Sequence, residues 1–202
     1  MALMELFCGS AQLTLEYAKA GMVVLEPRDI IHGHDLNKEE EQARVIDEIN
    51  TFRPELVWIA LPCTLWGPWT RINYKDRPQE LRRLRLKQKK LINLAIEAAT
   101  VQIAGGNHVA FEHPRGSELW NKPDVKELLQ MPHFQEVDFD MCSFGLKAVS
   151  DGGLLKKPTK VMCTDPGYAA ALHRPCTGDH EHTLGKTLNR PGTTPNSSPG
   201  PW

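Results

Sequence analysis

No apolar run in this 202-residue chain approaches the roughly 20 residues needed to cross a bilayer. The opening stretch, Met1–Phe7, is too short and too acidic to act as a secretion signal. Membrane-spanning and exported classes are therefore not expected, and an intracellular setting is. Excess charge is missing too. Lys and Arg total 24 against 25 Asp and Glu, a net charge of -1, so any nucleic-acid contact has to come from local clustering. An even cysteine count is also absent: Cys8, Cys63, Cys142, Cys163 and Cys176 cannot all pair, and reduced thiols are the expectation. No internal repeat is visible, which removes solenoid architectures. What remains is 41% hydrophobic and 24% charged, as in an ordinary globular domain, with enough length for one sizeable core.

The pattern along the chain predicts alternating strands and helices. Met1–Phe7 reads as a strand ending at Gly9-Ser10, where Ser10 is placed to cap a helix through Ala20. Met22–Leu25 reads as a second buried strand. Lys38 to Phe52 has the stripe of an amphipathic helix, with Val45, Ile49 and Phe52 inward. Leu56–Leu61 is a continuous apolar run, as a central parallel strand should be. A long helix over about Gln79 to Ala104 leads to a strand at His108–Glu112. Beyond it come a short helix at Pro123–Met131, strands at Glu136–Met141 and Lys160–Thr164, and a helix capped by Asp165-Pro166. This order predicts an α/β, Rossmann-like fold: a mostly parallel sheet with helices on both faces. Residues 1–189 form the expected single domain, and the Pro/Ser-rich residues 190–202 the expected disordered tail.

Three motifs fall where strands should meet loops. Glu5-Leu6-Phe7-Cys8-Gly9-Ser10-Ala11 is a strand entering a glycine turn before a helix, which lets a ligand approach the backbone. Glu26 follows the second strand, where a carboxylate can accept both hydroxyls of a ribose; a purely structural turn is served equally well. Pro62-Cys63 sets a stiffened loop and a thiol at the carboxyl end of a central strand, the edge where open α/β sheets bind ligands. The thiol there can act as a nucleophile, or be a buried structural cysteine. Glu112-His113-Pro114 repeats this geometry one strand further on with a carboxylate.

Taken together, Glu-Leu-Phe-x-Gly, Pro-Cys and Phe-Glu-His-Pro resemble the Asp-Leu-Phe-x-Gly, Pro-Cys and Glu-Asn-Val motifs of the cytosine-C5 DNA methyltransferases. The chain is also similar to methylase-like domains within some mobile-element polyproteins and phages. The resemblance runs from about Met4 to Thr164. It implies an S-adenosylmethionine-dependent methyltransferase fold with Phe7, Gly9, Glu26, Asp35 and Pro62 about the cofactor. It further implies that Cys63 attacks C6 of an extruded cytosine while Glu112 holds the N3/N4 edge. His113 stands where the family has Asn, and neither the Gln-x-Arg-x-Arg motif nor a target-recognition stretch is visible. A catalytically inactive module that binds nucleic acid or cofactor is the alternative.

Residues 71 to 90 are strongly basic and directly follow the Pro-Cys loop. Arg71, Arg82, Arg83 and Arg85, with Lys157 further on, are the expected phosphate contacts, on single-stranded DNA or on a duplex read with weak sequence preference. A solvated helix face is the bland reading. Trp66, Trp69 and Trp120 could stack on a base or simply pack. Cys163, Cys176, His180 and His182 have a ligand-like composition. The Cys-x3-His-x-His spacing is not that of a standard finger, so a hydrogen-bonded loop without metal is the expectation and zinc the alternative.

Overall fold

The computed structural model describes residues 2–183; the proposed tail lies outside the described residues. Six strands, β1 (Ala2–Leu6), β2 (Val23–Val24), β3 (Leu56–Ile59), β4 (His108–Pro114), β5 (Gln135–Asp140) and β6 (Pro158–Cys163), form one sheet in the order β2-β1-β3-β4-β6-β5. The first four run parallel, and β6 lies antiparallel between β4 and β5. This is a Rossmann-like, mostly parallel α/β sheet.

The central strands read as unbroken apolar runs because both faces are covered. Along β1 and β3, Met4, Val57 and Ile59 point into one core, while Leu3, Leu56 and Trp58 point into the other. The first core is closed by α2 (Glu39–Phe52), α4 (Pro78–Ala104) and α5 (Pro123–Leu129), through Val45, Ile49, Leu94, Ala95 and Val125. The second is closed by α1 (Gln12–Lys19) and α6 (Pro166–Leu172), through Leu13, Tyr17 and Ala169; a one-turn α3 (Thr70–Asn73) lies in the β3–α4 connection. Each fully buried Leu or Ile here stabilises the fold by about 1.5–3 kcal/mol relative to exposure. Among the described residues no helix is long and apolar enough to cross a membrane.

Three local expectations are corrected. Phe52 does not join the inward stripe of α2: it is 60% exposed, and only Val45 and Ile49 of that stripe are buried. Met22–Leu25 is not a buried strand: only Val23 and Val24 pair, at the sheet edge, and Val23 is 61% exposed. After Pro27 the chain rejoins β1, with Arg28 N–H on the Glu5 carbonyl at 2.9 Å and Phe7 N–H on the Arg28 carbonyl at 2.8 Å. Nor does Ser10 cap α1. The residue before the helix is Ala11, in a left-handed conformation. The capping acceptor comes from the sheet: Glu5 takes the Thr14 N–H at 2.9 Å and its hydroxyl at 2.7 Å.

Candidate active site

Since α1 and α4 depart to opposite faces after β1 and β3, a crevice opens between the carboxyl ends of these two strands. The β1 loop turns sharply, with Phe7, Gly9 and Ala11 all at positive φ. Gly9 has open space where a side chain would stand, so a ligand can approach its backbone. Its N–H donates to Asp29 at 3.0 Å, and the other Asp29 oxygen accepts from Ile31 N–H at 3.0 Å.

Phe7, Gly9, Asp29, Ile30, Asp35, Leu36, Pro62 and Leu91 are among the residues lining a cavity of about 290 Å³ in this crevice. Four of the five proposed cofactor residues thus meet around one space. Glu26 does not line it; its carboxylate pairs with Arg28 at 3.1 Å and His34 at 3.3 Å. The acidic residue on the cavity wall at this strand end is Asp29, which motif reading passed over because the chain re-pairs with β1 only after Pro27, at Arg28. Arg28, 4% exposed and bound also to Glu48, ties the wall to α2. Hydrogen bonds from Asn37 hold the Asp35 carboxyl below its ordinary range, keeping it charged.

Cys63 is exposed, in the loop that leaves β3. Its carbonyl anchors the turn, accepting from Trp66 N–H at 3.0 Å and Gly67 N–H at 2.8 Å. The Trp66 carbonyl in turn accepts from Glu118 N–H at 2.9 Å and the Ser117 hydroxyl at 3.1 Å, fastening this loop to the one after β4. His113, 2% exposed, also faces it. Burial drives the His113 imidazole down to about 4, so it is neutral at physiological pH; the Pro62 carbonyl opposes this without completing a hydrogen bond. A second thiol at this edge, Cys8, is pushed up to about 12 by burial and by the charges of Glu5 and Asp29. Of the two, Cys63 is the more exposed.

Ile59 pairs with Phe111, so the chain leaves β3 beside Glu112. Glu112 lies on the opposite sheet face from His113, and one of its oxygens accepts from Trp58 Nε1 at 3.0 Å. Burial raises the Glu112 carboxyl above the ordinary carboxylate range, with the Lys157 charge and the Trp58 bond pulling the other way. Glu5, across the pair Glu5–Trp58, is raised mainly by burial as well. Its oxygen is committed to α1, whereas Glu112 is held by Trp58 and feels the charge of Lys157.

The proposed nucleic-acid residues divide. Arg82 and Arg83 are exposed on α4, and Lys157 is exposed with its charge reaching Glu112. Arg85 is engaged: it donates to the Leu65 carbonyl at 2.9 Å, pairs with Glu118 at 2.6 Å and lies 4.4 Å over the Trp66 ring. Arg71 pairs with Glu118 at 2.8 Å. Trp66 is buried and Trp120 donates to the Pro114 carbonyl, so both pack, while Trp69 is 71% exposed near the thiol loop.

The Cys/His cluster is real but its membership differs from expectation. Cys163 is fully buried in the second core, its sulfur against the Asp165 carbonyl. Strand alternation in β6 turns it inward, away from the others. Cys142, in the helical turn after β5, takes its place: the ligand atoms of Cys142, Cys176, His180 and His182 all lie within 4.8 Å of one another.

Comparison with models of known protein families and with curated proteins finds no match. Among solved structures, the Entamoeba histolytica methyltransferase EhMeth is similar to this chain, at 16% identity and a TM-score of 0.49. The likeness covers 82% of this chain and 53% of that one, so the chain spans about half that structure's length.

Proposed function

We propose that this chain is an S-adenosylmethionine-dependent methyltransferase domain that acts on C5 of cytosine in DNA, with Cys63 as nucleophile. One arrangement supports the reading: an exposed thiol on the loop between a cavity walled by Asp29 and Asp35 and a shielded carboxyl, Glu112. The cofactor fits the donors present. Phe7, Leu36, Pro62 and Leu91 offer apolar surface to an adenine, and Asp29 and Asp35 offer acceptors to hydroxyls and ammonium. Bound there, it would supply an electrophilic methyl group.

The chain's own residues do the rest. Cys63 thiolate adds to C6 of the extruded base, and the electron pair moves to C5 as an enamine. Glu112 meets the N3/N4 edge, donating from its carboxyl to N3 or accepting from the amino group, and offsets the charge that builds on the ring. C5 takes the methyl group, loses its proton to solvent, and the C5–C6 double bond returns as the thiolate leaves. Lys157, whose charge reaches Glu112, and the exposed Arg82 and Arg83 supply cations for the phosphate backbone.

The test is an oligonucleotide carrying 5-fluorocytosine, incubated with S-adenosylmethionine. Fluorine cannot leave C5 as a proton does, so an active thiol stays covalently attached. A denaturant-resistant adduct is expected, absent with Cys63→Ser. Cofactor binding by calorimetry without any adduct would instead establish a binding module, a reading favoured by the lack of a visible Gln-x-Arg-x-Arg motif.

A further inference from the structure

We propose that Cys142, Cys176, His180 and His182 bind one structural zinc ion. The four ligand atoms lie within 4.8 Å of one another, and the three distances among Cys176, His180 and His182 are close to those of a tetrahedral shell. Cys176 Sγ lies 3.7 Å from His180 Nε2 and 3.5 Å from His182 Nε2, and the two Nε2 atoms are 3.1 Å apart. With Zn–S near 2.3 Å and Zn–N near 2.0–2.1 Å, tetrahedral geometry places ligand atoms about 3.3–3.8 Å from one another. Two sulfurs and two imidazoles form a set that suits zinc over the oxygen-seeking Mg²⁺ and Ca²⁺. With all four positions filled by protein, no site is left for a substrate, which makes the role structural.

The surroundings are arranged for a metal as well. His180 Nδ1 is 2.8 Å from the Asp179 carboxylate. That acceptor fixes the proton on Nδ1 and turns the Nε2 lone pair towards the other three ligands, the orienting partner that metal-bound histidines usually have. Gly178 N–H donates to Cys176 Sγ at 3.4 Å, supporting a thiolate. Hydrogen bonds alone account poorly for the cluster. Asp179 uses the Nδ1 proton of His180, leaving few protons to satisfy two imidazole Nε2 atoms and two sulfurs packed together.

What the ion would hold is the path after α6, which has no helix or strand from His173 to Thr183. It is tied to the rest by Cys176 N–H on Asp140 at 3.0 Å, Asp140 N–H on the Arg174 carbonyl at 3.3 Å and Thr183 N–H on the Leu154 carbonyl at 2.9 Å. Cys142 follows Met141, whose N–H donates to the Lys156 carbonyl at 2.8 Å. The site therefore braces the backbone that leads into β6 through Lys156, without touching the crevice.

Metal content of the full chain, purified without chelator and reconstituted with excess zinc, tests this by native mass spectrometry and elemental analysis. About one zinc per chain is expected, falling below about a tenth with Cys176→Ser or His182→Ala and unchanged with Cys163→Ala. Asp179→Asn, which leaves the ligands in place, should weaken zinc binding about 10- to 100-fold. Cobalt in place of zinc should give the intense visible bands of a tetrahedral, thiolate-bound ion. A zinc-free reconstituted chain, an octahedral cobalt spectrum, a Cys142–Cys176 disulfide, or loss of metal with a folded Cys163→Ala would each overturn the assignment.

Discussion

Cys63 and Cys142 leave the same carboxyl edge of the sheet, one after β3 near its middle and the other after β5 at its margin. Around Cys63 the backbone carries the bonding: its carbonyl and that of Trp66 fasten the loop, and the thiol stays exposed. Around Cys142 the side chains close in, with a second sulfur and two imidazoles within 4.8 Å. The same residue type on the same edge is thus left accessible in one place and enclosed in the other. Chemistry is assigned by what surrounds a thiol, and not by the motif that contains it.

Experiments can break or sharpen this contrast. The largest effect is expected from Cys63→Ser, which should lower methyl transfer about 10⁴-fold or more while leaving stability within about 0.5 kcal/mol. A variant that unfolds, or one that keeps its rate, would remove the contrast. Cys176→Ser should do the reverse at the other site: a clear fall in the denaturant midpoint, with a matching fall when wild-type protein is stripped by chelator, and no further fall when both are combined. Additive losses would mean that the sulfur and the metal act separately.

Glu112→Gln tests the shielded carboxyl in two directions. Removing the charge should slow methyl transfer about 10²-fold or more, yet raise stability at pH 8. A carboxyl whose folded pKa is raised contributes its stability while protonated, below the unfolded value of about 4.3, and loses it as pH rises through the folded value. The gain from Glu112→Gln should therefore vanish in acid, as urea titrations at both pH values would show; equal gains at both would place the effect elsewhere. The smallest change is expected from Arg82→Ala, which should weaken DNA binding alike for all sequences and flatten the salt dependence by about one unit of slope. Sequence-dependent losses would contradict a phosphate contact.

Much of this was legible in the chain. Continuous apolar runs marked β1, β3 and β4, and the proline and glycine breaks put the three loops at one edge. What could not be read depended on where the chain goes after a local irregularity. Glu26 looked like the strand-end acid, but the chain re-pairs with β1 at Arg28, so Asp29 reaches the cavity. Cys163 looked like a ligand by proximity in sequence to Cys176, yet period-two alternation in β6 buries it, while Cys142 arrives from a different strand end. Arg85 is indistinguishable from Arg82 and Arg83 by composition; its place on α4 sets it over Trp66 and against Glu118. Glu5 as the cap of α1 had no local signal at all, because donor and acceptor belong to different elements.

The antiparallel strand also dictates an order of assembly. β5 is made before β6 yet touches the rest of the sheet only across it. A nascent chain that has not yet passed Cys163 holds β4 as a bare margin with unpaired backbone groups and β5 with nothing to join. Shortened versions ending ahead of Pro158 should accordingly self-associate during expression, so dissection of this protein is better done by point substitution than by deletion.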